Sequence, residues 1–350
     1  MRLTRPLLDD AAVAGILSIE QSGALWDFLS RRERDTPSFR SAHILYYLGG
    51  MIAIGAMTLF MTLGWERFGG GGLTLIATVY CIIALVLTEW LLARPGLAIP
   101  AGIAATLAIV MVPLGVYGAQ HLLGLWADGG RIQAYREYHT HIDWRWLMME
   151  LATLGAAAIA LWRYRLPFMV MPVAVTLWYL SMDLTPFLFG GDSQTFFSDD
   201  GKRVSVAVGL AMTALALVVD LRASRTKDFA FWLYLFGVLA FWGGLSMMNS
   251  NSEVGKFVYC CINLAMIAVG AALSRRVFAV FGGLGVAFYL GHLSHSIFKD
   301  SMLFPVALTA IGLLTIAAGV YWQRHEDAIG ERLRAFLPAG ARDALAHRGD

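Results

Sequence analysis

Charge is scarce in this chain. Only 15% of its 350 residues are Asp, Glu, Lys or Arg, and 58% are hydrophobic; an average soluble domain carries about 25% charged residues. So little polar surface cannot cover a soluble core of this size, and such an apolar chain has too much to bury to stay unfolded. A soluble enzyme, a disordered protein and a nucleic-acid binder are therefore poor readings. Cysteine is also scarce. Cys81, Cys260 and Cys261 all lie in apolar runs, three thiols cannot all pair, and the adjacent two point to different sides of a helix. They read as small buried apolar residues, not as a disulfide framework or a metal set. Several signatures are missing: no HExxH, no CxxC, no GxSxG and no phosphate loop occurs. The first 42 residues are polar and the first long apolar run begins near Ile44, so no cleavable secretory signal is expected.

What the chain has is apolar runs of membrane-crossing length. A hydrocarbon core of about 30 Å takes about 20 residues of helix. Ten runs approach this: 43–65, 73–93, 97–118, 147–162, 167–182, 204–221, 229–248, 255–273, 277–293 and 302–322. They are continuously apolar, whereas strands of a membrane barrel alternate, so helices are the remaining way to satisfy the backbone in lipid. The expected fold is all-α: a polytopic helix bundle of about ten spans, with a short helical hairpin in residues 1–42 and an amphipathic tail in 323–350. With the N-terminus placed inside, the inside segments hold 19 Lys and Arg and the outside segments 8. That asymmetry expects both termini in the cytoplasm, which an even number of spans satisfies.

The N-terminal arm has its own pattern. Leu7 to Ala14 reads as a helix stopped by Gly15. Ser18 and Gln21 then have the spacing of a capping box, with Ser18 as N-cap. Leu25, Trp26, Phe28 and Leu29 give the following helix an apolar side, before Arg31, Arg32 and Arg34. Ser18, Gln21, Trp26 and Phe28 are the residues of a candidate docking hairpin. A protein partner or self-association through residues 1–36, a hairpin packed under the membrane domain, and a lipid-surface helix all fit this pattern.

A resemblance enters at the same residues. Gly15-Ile16-Leu17-Ser18-Ile19-Glu20-Gln21, followed by a polar stretch, then Tyr47-Leu48-Gly49-Gly50 with Gly55 and Trp65, is similar to the start of the bacterial membrane-protein family called domain of unknown function 2157. The similarity covers roughly residues 10–95. It implies a multi-pass protein of the bacterial inner membrane with a cytoplasmic N-terminal helix pair. It carries no activity, cofactor or catalytic residue over to this chain.

Small residues line several runs. Gly49, Ala53 and Ala56 share a side of the first, and Gly282, Gly283 and Gly285 lie in the ninth; such positions let helices approach closely in lipid. Arg165, Phe168, Val170, Tyr179 and Leu180 recur 110 residues later as Arg275, Phe278, Val280, Tyr289 and Leu290. A four-helix repeat, 73–182 with 204–293, would explain this, and chance matching in apolar sequence is the alternative.

Polar groups in spans are costly and mark functional candidates. Glu89, Glu150, Asp183 and Asn263 form the candidate intramembrane polar set. Arg94 is expected to pair with Glu89, and Asp220 is expected at the interface facing Arg222 and Arg225. Five histidines are expected on the outer side, His121 and a candidate cluster of His139, His141, His292 and His295. Glu137, His139, His141 and Asp143 would share one face of an extended segment. A solvated loop, a proton-sensing cluster and a metal site are all consistent with that set. No cofactor is expected. The partners expected are the lipid bilayer and a protein, not nucleic acid. Three function classes follow: a non-catalytic scaffold or regulator docking partners through the hairpin, a small-solute or ion transporter, and an intramembrane enzyme. The absence of a nucleophile–base pair makes the last the weakest.

Overall fold

Backbone groups in an apolar environment must bond within their own segment, and the chain answers with helices throughout. A computed structural model describes residues 5–33, 41–126, 144–189, 198–222, 227–248, 250, 252–293 and 306, 309, 312, 313 and 317. Among them all regular structure is helical. The elements are α1 (Arg5–Val13), α2 (Ile19–Glu33), α3 (Ser41–Leu92), α4 (Ala98–Leu122), α5 (Trp144–Tyr164), α6 (Val170–Phe189), α7 (Asp199–Arg222), α8 (Phe231–Met247), α9 (Glu253–Ala272) and α10 (Arg276–His292). The tail 323–350 and most of the tenth expected run lie outside the described residues.

Among the described residues, five stretches are long and apolar enough to cross a membrane: Phe68–Leu92, Ala98–Leu122, Trp144–Tyr164, Asp199–Arg222 and Glu253–Ala272. Leu45–Ala56, Phe231–Met247 and Arg276–His292 are shorter apolar helices. Their outward faces are apolar as well. Leu75, Val79, Ile82, Ile83 and Val86 form an exposed row on α3, and Ile159 and Trp162 stand out from α5. Water would penalise so large an apolar surface, whereas lipid covers it without penalty.

The first two expected runs are not separated by a polar loop. α3 continues through both and breaks only at Gly69, with φ 61° and ψ 176°. That backbone region is essentially closed to residues with a Cβ, so glycine marks the break. The fourth run gains residues at both ends and reaches spanning length as α5.

The chain divides at Val173 into two compact units. In the first, α3 packs on α4 with backbones in contact: a Cβ at Gly118 would lie 2.7 Å from the Gly70 carbonyl oxygen and 2.6 Å from Thr74 Oγ1. Gly50, not its neighbour Gly49, faces α4, against the Ile103 side chain. One buried layer joins Leu73, Ala77, Leu114, Tyr117 and Met149; another joins Ala101, Ala105, Ile109, Ala157, Leu166 and Met169. In the second unit, Gly237 of α8 lets Thr213 of α7 approach, and Gly282 and Gly285 of α10 admit α9. Cys260 is buried and Cys261 exposed on opposite sides of α9. The expectation of three buried thiols therefore fails at Cys261, whose side of α9 faces outward.

Candidate functional site

The turn between α1 and α2 is built by local rules. Gly15 takes φ +72° and closes α1. The Ser18 amide then donates to Gln21 Oε1 at 3.0 Å, and the Gln21 amide donates to Ser18 Oγ at 3.1 Å. This reciprocal pair satisfies two donors that an α-helix start leaves open. Around it, Val13 is 90% exposed, Ile16 75% and Ile19 85%. Trp26 is half-buried. Phe28 lies on α2, with its side chain outside what is described.

The candidate intramembrane residues fall in separate places. Glu89, near the end of α3, accepts from Arg163 Nη2 at 3.1 Å and from the Tyr164 hydroxyl at 3.0 Å. The expected partner, Arg94, instead lays its guanidinium over the Trp90 ring, 3.3 Å from the centroid. α3 ends at Leu92, so Arg94 lies past the helix, where its guanidinium packs on Trp90 and not on Glu89. Asp183 is half-buried on α6 near Ser181, whose hydroxyl donates to the Trp178 carbonyl at 2.5 Å. Asn263 is fully buried on α9. Its Nδ2 donates to the Tyr259 carbonyl at 2.8 Å, and its carboxamide lies against Gly285 of α10. Its Oδ1 receives no conventional hydrogen bond, and its nearest partner for a weaker contact is the glycine backbone.

Of the histidines, His139, His141 and His295 lie outside the described residues, as do Glu137 and Asp143. His292, at the end of α10, sits 3.3 Å from Glu253 Oε2 at the start of α9. Lys256 Nζ donates to the same carboxylate at 2.7 Å. Among the described residues no three His, Cys, Asp or Glu side chains are grouped as metal ligands.

Asp220 is buried at the end of α7; Arg225, one of its two expected partners, lies outside the described residues. Arg275, in the turn between α9 and α10, grips Asp220 with both prongs: Nη2 to Oδ1 at 2.5 Å and Nε to Oδ2 at 3.2 Å. Arg275 also binds Asp228, which accepts from the Ala230 and Phe231 amides at the start of α8. The Tyr234 hydroxyl adds a contact to Asp220 at 3.4 Å, and its ring lies under the guanidinium. Burial alone would lower the Arg275 pKa, but the hydrogen bonds and charges of Asp228 and Asp220 hold it above its ordinary value. The tight turn explains why sequence proximity misled: Ser274, at φ +54°, swings Arg275 back onto α7. One pattern is common to both units. An acid at the end of the first long helix meets an arginine near the turn between the third and fourth, Glu89 with Arg163 and Asp220 with Arg275.

Sequence reading missed a second polar cluster in the first unit. α4 carries Tyr117 and Gln120, one turn apart and both buried. Gly124, at φ +68°, ends the helix and returns Trp126 onto Tyr117, with ring centroids 5.4 Å apart. From α5, the Arg145 guanidinium covers the Trp126 ring at 4.8 Å, and the Arg145 carbonyl accepts from Gln120 Nε2 at 3.1 Å. Glu150 lies five residues further along α5, with Oε2 buried. The carbonyl fixes the Gln120 carboxamide, because a flipped amide would set oxygen against oxygen. Gln120 Oε1 and Trp126 Nε1 are then left buried with no hydrogen-bond partner. Each such group costs about 1–3 kcal/mol. The available signal was a lone glutamine inside an apolar helix.

Against family models, curated proteins and solved structures, the chain has no match.

Proposed function

We propose that this chain is a non-catalytic scaffold or regulator of the bacterial inner membrane. It has about ten spans, both termini in the cytoplasm, and a hairpin in residues 1–36 that docks a protein partner, in line with its N-terminal resemblance. The carrying observation is the row Val13, Ile16 and Ile19, all three largely exposed on a turn held rigid by the Ser18–Gln21 box. Apolar anchors on a preformed scaffold lower the entropy cost of association. The 19:8 division of basic residues supports the orientation. The shared acid–arginine pattern supports two related four-helix halves. The test is a photo-crosslinking residue at position 16 or 19 in intact membranes. A discrete protein adduct, lost in an Ile16→Lys/Ile19→Lys background, is expected. Adducts to lipid alone, or none, refute the reading.

A small-solute transporter is the second reading, favoured by the buried polar cluster around Gln120. Within the first unit the two carboxylates are far apart, however. Glu150 and Arg163, the partner of Glu89, are thirteen residues apart on α5, about 20 Å along the helix. The layer of Ala101, Ala105, Ile109 and Ala157 is apolar and buried along that length. Proteoliposome flux measurements separate the two readings.

A further inference from the structure

The end of α3 carries a guanidinium that no acid neutralises. Glu89 is taken by Arg163 and Tyr164 of α5. Arg94 is exposed, lies over the Trp90 ring, and among the described residues meets no carboxylate. Trp90 is itself exposed and ends an outward row of Val79, Ile83, Val86 and Trp90. Intervals of four, three and four residues keep that row on one side of the helix. Ala84 and Thr88, two residues before Val86 and Trp90, are buried; two residues turn a helix by about 200°, so the row faces away from the packed side. The 25 residues of Phe68–Leu92 are about 37 Å long, against a hydrocarbon core of about 30 Å. The row therefore runs up to headgroup level, where tryptophan is favoured. The charged groups of the two helix ends joined there are Glu89 against Arg94, Arg163 and Arg165, and all three arginines are exposed. That excess selects a headgroup of net negative charge over a zwitterionic one. We propose that the end of α3 binds an anionic phospholipid. One acyl chain lies along Val79, Ile83 and Val86, and the phosphate accepts from the Arg94 guanidinium beside Trp90.

The site rests on the membrane placement of the chain and not on the hairpin. The test reconstitutes the full chain in phosphatidylcholine vesicles and titrates in phosphatidylglycerol brominated on its acyl chains. The signal is the quenched tryptophan emission that each chain loses on Trp90→Phe. Brominated phosphatidylglycerol is expected to quench Trp90 at about fivefold lower membrane fraction than brominated phosphatidylcholine, the preference one basic side chain contributes near anionic headgroups. Arg94→Gln, at an exposed turn position, is expected to bring the two lipids level, whereas Arg94→Lys keeps the preference. Arg222→Gln removes the same charge from an exposed position of the second unit and is expected to keep it too. Glycerol 3-phosphate in the buffer, at matched ionic strength, offers the headgroup chemistry without the chains and is expected not to displace the lipid. The proposal is overturned if the two lipids quench the parent alike or if Arg94→Gln keeps the preference. An equal loss in Arg222→Gln overturns it in favour of general surface attraction, and displacement by glycerol 3-phosphate in favour of a soluble anion. Quenching by neither lipid overturns the membrane placement as well.

Discussion

Replacing Arg275 by methionine isolates a buried ion pair among the described residues of the second unit. The Asp220 side chain is 3% exposed and that of Arg275 17%. Methionine keeps most of the side-chain volume but removes the guanidinium that grips a buried carboxylate. Breaking a buried pair from one side costs about 3–5 kcal/mol, whereas replacing both partners by apolar groups is often neutral. Two features set the value here. The Tyr234 hydroxyl still reaches Asp220 at 3.4 Å, which favours the lower end of that range. Asp228 loses its partner too, but it is 42% exposed and keeps its two amide donors at the start of α8, so water and those amides absorb most of that change. Arg275→Met should therefore cost about 3 kcal/mol, and Asp220→Leu/Arg275→Met should recover most of that loss. The control is Glu89 with Arg163, whose side chains are 51% and 61% exposed. Neutralising that pair should cost under about 1 kcal/mol and become undetectable in high salt. Equilibrium unfolding in mixed micelles reads all of these. A single-variant loss at position 275 no larger than that at position 163, or a double variant worse than either single, would refute the reasoning.

Other substitutions test the helix contacts. Gly285→Ala sets a methyl onto the Asn263 carboxamide and should destabilise by about 1–3 kcal/mol; Asn263→Ala in the same background should restore part of that loss in the same unfolding assay. Gly69→Ala forces a Cβ into a glycine-only conformation and should cost about 1–3 kcal/mol, with altered cysteine accessibility on either side of the break as a second readout. Ser18→Ala removes the oxygen that caps the Gln21 amide and should cost the hairpin about 1 kcal/mol, seen as faster amide exchange in α2 with the long helices unchanged.

The parts of this molecule that were legible in its sequence depend on local rules. Apolar runs report helices because lipid and backbone chemistry leave no alternative, and the Ser18–Gln21 box reports a helix start because both partners lie within one turn. Gly15 stops α1 where expected for the same reason. Partnerships set by turns were not legible. Arg94 is near Glu89 in sequence but lies past the end of α3, whereas Arg163 arrives from α5. Arg275 reaches Asp220 from 55 residues away, through a turn whose left-handed residue is Ser274, not a glycine. The break in α3 falls at Gly69, in the gap between the first two expected runs, 43–65 and 73–93. Of the four glycines from Gly69 to Gly72, only the first is non-helical. Gly70 stays helical and lies against the α4 backbone at Gly118 and Leu122.

The two arginine contacts differ in a way that bears on function. In the second unit Arg275 ties the end of α7 and the start of α8 to the α9–α10 turn through buried contacts. In the first, Arg163 ties α3 to α5 through groups that water or headgroups reach. Exposed pairs exchange partners at little cost, whereas a buried pair must be broken outright. Of these two pairs, the one between α3 and α5 is therefore the cheaper to open. α3 carries the Gly69 break, and Leu73 and Ala77 on it pack beside Tyr117. The close backbone contact of α3 with α4 at Gly118 holds that helix whether or not the exposed pair is made.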